Sequence, residues 1–197
     1  MKTIYLMRHS IPEKINLETA LIPLSTDGLK LAESKRAIFS NIDYCYTSPY
    51  TRAVETAKQI SNNIEILYDL HERIIGEAYE DFWLKQYLDF DYANNNGESL
   101  NQVKKRMKIT IDKILNDINE GNKVLVISHA TAISAYLLNY CQIIINNASE
   151  KSRKITFNND VILNGKIEPT SYFEIKYHEN NIYSIFFTTR CFELKRL

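Results

Sequence analysis

The chain has 197 residues, of which 45% are hydrophobic and 24% charged, and its formal net charge at pH 7 is zero. This length and composition predict one soluble globular domain that can bury a core of its own. The balanced charge argues against a broad electrostatic surface for nucleic acid or an anionic membrane, so neither is expected as a partner.

Cysteine spacing and the apolar stretches exclude further classes. Cys45, Cys141 and Cys191 lie far apart and outside any C-x-x-C spacing, which predicts neither a disulfide framework nor a zinc site. The apolar stretch after Met1 is too short for a signal peptide, and the one over residues 132–145 falls short of a membrane span. We therefore expect a cytoplasmic protein.

The first predicted strand ends in a basic pair. Residues 3–7 predict a short buried strand, and Arg8 and His9 follow it directly. After a polar loop, residues 27–39 predict a helix with a weak apolar face. Because α/β proteins bind ligands at the carboxyl ends of their parallel strands, the Arg8 and His9 pair indicates an anion-binding site.

The second strand and its helix have a sharper boundary. Residues 43–47 predict a strand, and Ser48 with Pro49 predicts a helix start, with a capping hydroxyl and a proline at the first helical position. Arg52 lies on the first turn. Helical side chains lean toward the helix N-terminus, so we expect Arg52 to point back at the sheet edge that holds His9.

Two more strands complete the predicted sheet edge. Residues 64–70 predict a third strand that leads to Glu72, and the nearly continuous apolar run over 123–127 predicts a central strand that ends near His129. Between them lie an aromatic, partly helical insert and a long helix with a 3.6-residue apolar period over 100–118.

The last third of the chain is less regular. Residues 130–140 predict a buried helix, because they are apolar nearly all round. Residues 142–170 show no clear pattern. The alternating stretches 172–177 and 182–188 predict a β-hairpin.

Polar side chains therefore follow each of the four predicted strands over 3–7, 43–47, 64–70 and 123–127. If the strands are parallel, these side chains meet at one end of one sheet. The set supplies two guanidinium groups, two imidazoles and one carboxylate around a space of roughly phosphate size. Its members are Arg8, His9, Arg52, Glu72 and His129.

Six segments, in this order, resemble the motifs of the histidine phosphatase superfamily, also called the phosphoglycerate mutase-like family. They are residues 6–10, 24–28, 47–57, 70–76, 97–99 and 124–130. The resemblance implies an α/β fold, a three-layer α/β/α sandwich with a mostly parallel central sheet. It also implies a single domain over residues 1–197, with a short helical cap insert at about 73–97 and a C-terminal hairpin at about 171–190.

The resemblance also implies a role for each residue of the set. His9 would be the nucleophile that forms a phosphohistidine, and Arg8 and Arg52 would hold the phosphoryl oxygens. Glu72 would act as general acid and then as general base. His129, at a helix N-terminus whose N–H groups also favour an anion, would complete the pocket. Because a neutral imidazole offers a lone pair without help, no cofactor and no metal are implied.

Three positions depart from the family pattern. Ser10 and Ala130 stand where the family usually has glycine, beside the two histidines. Both are expected to line the substrate site, and both would be strained if the backbone there needed a positive φ. Asn16 falls one position later than an asparagine of the mutase members, so we do not assign it to the site.

The short insert favours a phosphatase over a phosphoglycerate mutase-type isomerase, because a short lid leaves the phosphohistidine open to water. The expected substrate is a small phosphorylated metabolite, and a phosphoprotein is also compatible. A catalytically silent module that binds a phosphorylated ligand is the third alternative. The insert's aromatic residues either clasp an organic leaving group or pack onto the domain. The sequence specifies neither the physiological substrate nor the oligomeric state.

Overall fold

Nine strands and five helices make up residues 1–189, the part of the chain that the structure, a computed structural model, describes. The strands are β1 (Lys2–Arg8), β2 (Tyr44–Thr47), β3 (Glu65–Ile66), β4 (Lys123–Ser128), β5 (Gln142–Asn147), β6 (Ser152–Phe157), β7 (Asp160–Gly165), β8 (Tyr172–His178) and β9 (Asn181–Thr188). The helices are α1 (Thr26–Glu33), α2 (Thr51–Ile60), α3 (Phe82–Leu88), α4 (Leu100–Asp117) and α5 (Ala130–Leu137).

The central sheet has six strands in the order β3-β2-β4-β1-β8-β9. The first four are parallel, and the predicted hairpin of β8 and β9 adds two antiparallel strands at one edge. Register aligns the strand ends, because Arg8 pairs with Ser128 and Thr47 pairs with Ile127. The residues that follow β1, β2 and β4 therefore meet at the same edge.

The sheet is covered by helices on both faces. Val124 and Val126 of β4 pack in the cluster that includes α4 and α5, whereas Leu125 and Ile127 pack in the cluster that includes α2. Successive strand residues face opposite sides of a sheet, and all four are fully buried. This explains the continuous apolar run, and it confirms the predicted sandwich with a mostly parallel sheet.

Helix α4 begins at a capping box formed by Ser99 and Gln102. The Ser99 hydroxyl accepts the Gln102 N–H at 3.2 Å, and the Gln102 side-chain oxygen accepts the Ser99 N–H at 2.7 Å. These bonds satisfy two donors that the first helical turn would otherwise leave unpaired. The prediction of this helix over 100–118 is confirmed.

Helix α5 ends at Leu137 rather than at residue 140, and three other elements also differ from those predicted. Instead of a strand over 64–70, the chain forms the two-residue strand β3 at the sheet edge, followed by a 3₁₀ turn at Tyr68–Leu70 that buries Leu70. Helix α1 stops at Glu33, and the turns after it bring Phe39 into the core. Helix α2 starts at Thr51, with Tyr50 as its N-cap residue, so Pro49 precedes the helix.

Residues 142–165 form a separate antiparallel sheet in the order β5-β6-β7. The sequence did not reveal it, because its strands lack a clean apolar face: Ile144 and Val161 are exposed, while Arg153 is buried. Helix α3 lies inside the expected cap insert. The predicted end of the hairpin at residue 190 and Cys191 lie outside the described residues.

The two cysteines that the structure describes, Cys45 and Cys141, are both buried and free. Burial raises the pKa of each thiol to about 12, so both stay protonated, as expected of structural cysteines. Within residues 1–189, no helix is long and apolar enough to cross a membrane.

Candidate active site

The aligned strand ends bring His9, Arg52 and His129 into direct contact. His9 follows β1, and His129 is the N-cap residue of α5 after β4. Their ring centroids lie 4.9 Å apart. Arg52, on the first turn of α2, donates to both rings: Nε lies 3.1 Å from His9 Nε2, and Nη2 lies 3.2 Å from His129 Nδ1.

These contacts define the tautomer of His9. A guanidinium can only donate hydrogen bonds, so His9 Nε2 must be the acceptor and carries a lone pair. The other ring nitrogen, Nδ1, lies 2.6 Å from the Ser10 carbonyl oxygen and must donate to it. His9 is therefore held as a neutral imidazole with Nε2 unprotonated, which is the form a nucleophile needs.

The same reasoning assigns the opposite tautomer to His129. Its Nδ1 accepts from Arg52, so its Nε2 carries the proton and donates to the Ser48 hydroxyl at 2.8 Å. The Ser48 oxygen also accepts the Tyr50 N–H at 3.3 Å. Ser48 was predicted to cap α2, and this is wrong: its hydroxyl instead orients the second histidine.

The electrostatic environment keeps both rings neutral. Burial, followed by the charges of Arg52 and Arg8, lowers the pKa of His9 well below its ordinary value. Burial, followed by the His9 ring and Arg52, does the same to the pKa of His129. Only 5% of His9 and none of His129 is exposed. The excess of positive charge leaves the site suited to an anion.

Arg52 is itself fixed on three sides. Its Nη1 donates to the Thr19 carbonyl at 2.5 Å, and its guanidinium carbon lies 5.0 Å from the centre of the Tyr50 ring. The Thr56 hydroxyl donates to the Arg52 carbonyl at 2.7 Å and accepts the Ser10 N–H at 2.9 Å. Thr56 therefore links the helix that carries Arg52 to the segment that carries His9.

The two departures from glycine fit the backbone without strain. Neither Ser10 nor Ala130 has a positive φ. The buried Ser10 hydroxyl donates to the Gly28 carbonyl at 2.7 Å, so it ties His9 to α1. At Gly28 a Cβ atom would lie 2.1 Å from the Ile11 carbonyl oxygen, so only glycine permits this close approach. Ala130 lines a cavity beside the site, and Asn16 is exposed.

Glu72 approaches the site from the loop after the 3₁₀ turn. Its Oε1 accepts the Arg73 N–H at 2.9 Å and the Ala132 N–H at 3.0 Å, and its Oε2 accepts the Thr131 N–H at 3.3 Å. The last two donors belong to the first turn of α5. The Glu72 carboxylate thus occupies two of the N–H groups of the helix N-terminus at which an anion was expected.

An ion pair supports the loop that carries Glu72. Arg106 of α4 donates to Glu98 from Nε at 2.8 Å and from Nη2 at 2.9 Å. The same guanidinium donates to the carbonyl oxygens of Asp69, His71 and Glu72 at 2.7, 2.9 and 3.3 Å. One arginine therefore fixes three carbonyls of the segment that leads to and includes the acidic residue.

Two cavities meet at Glu72 and Arg73. The first, of about 350 Å³, is also lined by Arg8, whose Nη1 donates to the Ile167 carbonyl at 2.6 Å. The second, of about 510 Å³, lies on the side of Thr19 and Tyr50. Arg8 thus faces the space next to the histidines rather than the rings themselves.

Sequence reasoning missed three residues of this arrangement. Thr56 was within a matched motif but had no assigned role, and its position one turn after Arg52 was the available signal. Arg106 sits on a helix whose period identified only the apolar face. Arg153, which lines the first cavity, lies in the stretch that showed no pattern. Within residues 1–189, no group of His, Cys, Asp and Glu side chains could hold a metal ion.

The sequence model of the histidine phosphatase superfamily (branch 1) matches residues 4–156. The chain therefore belongs to the histidine phosphatase superfamily, whose members include phosphatases and mutases. No curated protein matches the sequence.

Solved structures share the fold at low identity. A mycobacterial glucosyl-3-phosphoglycerate phosphatase is 17% identical over 95% of this chain and 96% of its own, with a TM-score of 0.71. A phosphoserine phosphatase from Entamoeba histolytica, in complex with phosphoserine, is 18% identical over 94% and 96%, with a TM-score of 0.63. A phosphoglycerate mutase from Thermus thermophilus is 16% identical over 93% and 98%, with a TM-score of 0.62.

Proposed function

We propose that this chain hydrolyses small phosphomonoesters through a phosphohistidine formed on His9. The observation that carries the proposal is the hydrogen bonding of the His9 ring. Nδ1–H is held by the Ser10 carbonyl, and the Nε2 lone pair is left beside the Arg52 guanidinium. A nucleophilic nitrogen next to a fixed cation is suited to attack a phosphorus atom whose oxygens that cation can bind.

In the first step, His9 Nε2 attacks phosphorus and the bond from phosphorus to the ester oxygen breaks. Arg52 gives up its bond to Nε2 and donates to the phosphoryl oxygens together with Arg8, while His129, held by the Ser48 hydroxyl, completes the wall of the pocket. The leaving oxygen takes a proton from the Glu72 carboxyl group. The products of this step are an alcohol, a phosphohistidine and the Glu72 carboxylate.

In the second step, water attacks the phosphohistidine and passes a proton to Glu72. The bond from phosphorus to Nε2 breaks, and its electron pair returns to the ring as the lone pair that Arg52 faces. Inorganic phosphate leaves. Glu72 ends protonated, so the cycle needs no further proton donor. Ser10 supports this chemistry through its carbonyl, and Ala130 shapes the wall of the adjacent cavity.

Hydrolysis rather than transfer to a sugar acid is supported by access to water. The cap insert between Glu72 and Glu98 contains one short helix, α3. The wall of the first cavity includes the exposed side chains of Lys151 and Lys166. The second cavity has the exposed side chain of Tyr68 on its wall, so water can also reach Glu72 from that side when the first cavity is occupied.

The test measures phosphate release and the covalent intermediate together. The purified chain is assayed with p-nitrophenyl phosphate and a panel of metabolite phosphomonoesters from acid to neutral pH, and rapid acid and base quenches trap the phosphoenzyme. We expect turnover and an acid-labile, base-stable adduct, both absent in His9→Asn. The matched control, His178→Gln, removes an exposed histidine outside the site and should retain activity.

Each alternative has its own signature. Movement of phosphate within a phosphoglycerate, without release of inorganic phosphate, would establish an isomerase. Binding of phosphate without turnover of any ester would identify a silent module. If His9→Asn kept activity near that of the parent, His9 would not be the nucleophile.

A further inference from the structure

A second buried guanidinium lies outside the set of residues that handles the transferred phosphate. Arg153 of β6 is 2% exposed. Its Nη1 donates to the Tyr87 hydroxyl at 2.8 Å and to the Ser134 hydroxyl, and its Nη2 donates to the Lys151 carbonyl at 3.3 Å. All three acceptors are uncharged.

This charge has no counter-ion within residues 1–189. No carboxylate forms an ion pair with Arg153, and its Nε has no hydrogen-bond partner. A buried charge that is not paired is costly. An anion that entered the site would offset that cost and satisfy the remaining donor.

Arg153 reaches the space beside the phosphate-handling residues. It lines the 350 Å³ cavity together with Arg8 and Glu72. Arg8 and Arg153 are therefore two guanidinium groups on the wall of one cavity. A ligand in this cavity would contact both.

Other cavity walls add to the positive charge. Lys151, Lys166 and Arg73 line the cavity, and Glu72 and Glu150 contribute the two opposing charges. The Arg153 guanidinium carbon lies 5.3 Å from the centre of the Trp83 ring. The face of an aromatic ring attracts a cation and holds it in place, so the insert of β5, β6 and β7 presents a fixed basic group opposite the cap helix α3.

We propose that Arg153 forms a second anion-binding subsite and that the preferred substrate carries a second anionic group on its leaving portion. This inference rests on the proposed function and narrows it to phosphomonoesters that also bear a carboxylate or a second phosphate. The transferred phosphoryl group contacts His9, Arg8 and Arg52, and the second anion contacts Arg153. Lys166, which is exposed at the cavity rim, adds to the attraction of the second anion to this subsite.

Binding is measured in the His9→Asn background, where turnover does not interfere. The first pair of probes is 3-phosphoglycerate and glycerol 3-phosphate, which differ by a carboxylate. The second pair is fructose 1,6-bisphosphate and fructose 6-phosphate, which differ by a phosphate. We expect the doubly anionic member of at least one pair to bind about 10- to 100-fold more tightly, and the pair that shows this preference identifies the second anion.

Adding Arg153→Met should remove that preference and leave binding of the singly anionic probe within about twofold. Arg153→Lys should restore part of it. The matched control is Lys154→Met, the next residue of β6, which faces the opposite side of the sheet and should keep the preference. If Arg153→Met does not fold, Lys166→Gln replaces it, with an expected reduction of about threefold.

Equal affinity within both pairs would overturn the subsite, as would a preference that survives Arg153→Met in folded protein. Hydrolysis of glycerol 3-phosphate and fructose 6-phosphate by the parent chain tests the proposed function separately. A failure of hydrolysis with a preserved binding preference would reject the phosphatase and keep the subsite.

Discussion

Acidification should destabilise this protein through the buried imidazoles of His9 and His129. His9 and His129 are neutral in the folded chain because burial and nearby arginines lower the pKa of both. In the unfolded chain a histidine has a pKa near 6.5. Below that pH the unfolded state binds more protons than the folded state, so the free energy of unfolding must fall as the pH falls.

The size of the effect follows from the number of protons. Each imidazole that is protonated only in the unfolded state costs about 1.4 kcal/mol per pH unit. The pair should therefore remove about 2.7 kcal/mol per unit as the pH falls from about 6.5 toward the lowered pKa values of the folded state. His9→Gln leaves one such imidazole, so the slope should fall by about 1.4 kcal/mol per unit.

Urea denaturation between about pH 6 and pH 5, where an unfolded histidine is mostly protonated, followed by circular dichroism in phosphate-free buffer, measures both slopes. Carboxylates contribute equally to parent and variant, so the difference between the slopes isolates His9. His178→Gln is the control, because it removes a histidine that is exposed. Identical slopes for the parent and His9→Gln would show that His9 is not held neutral, and the tautomer argument would fail with it.

Three other substitutions test the supporting contacts. Glu72→Gln should slow hydrolysis of alkyl phosphates about 100-fold and of p-nitrophenyl phosphate far less, and equal losses would rule out a general acid. Arg106→Gln leaves the Glu98 carboxylate without its ion-pair partner, so the free energy of unfolding measured in urea should fall by about 2–4 kcal/mol. The substitution should also lower kcat more than it raises KM. An unchanged kcat would reject a positioning role for Arg106. Ser10→Gly removes the hydrogen bond to the Gly28 carbonyl and should lower the free energy of unfolding by about 1–2 kcal/mol. An unchanged free energy of unfolding would show that this hydrogen bond does not stabilise the fold.

Much of the site could be read from the sequence because buried parallel strands leave a strong signal. The run over residues 123–127 is apolar on both faces, so its end, and therefore His129, could be located. Arg52 could be placed because a residue on a first helical turn leans toward the strand end that precedes it. The register of the parallel pair β1 and β4 aligns Arg8 with Ser128, so the residues that follow these two strands lie side by side.

Other features depend on long-range contacts that no local pattern records. Ser48 with Pro49 has the form of a helix cap, yet the Ser48 hydroxyl bonds His129, 81 positions away. The third strand is shorter than predicted, because only Glu65 and Ile66 pair with β2. Arg153 lies in a strand where an arginine ordinarily faces solvent, and its burial depends on Tyr87 and Ser134 from two other helices.

The location of Glu72 on the wall shared by two cavities bears on the order of events in the proposed reaction. In an in-line displacement, water must attack phosphorus from the position that the alcohol has left, opposite His9 Nε2. The alcohol therefore has to clear that position before water can attack. If it withdraws into the cavity that Arg153 lines, water can reach Glu72 from the cavity beside Thr19 and Tyr50, so a slowly departing alcohol need not block the entry of water.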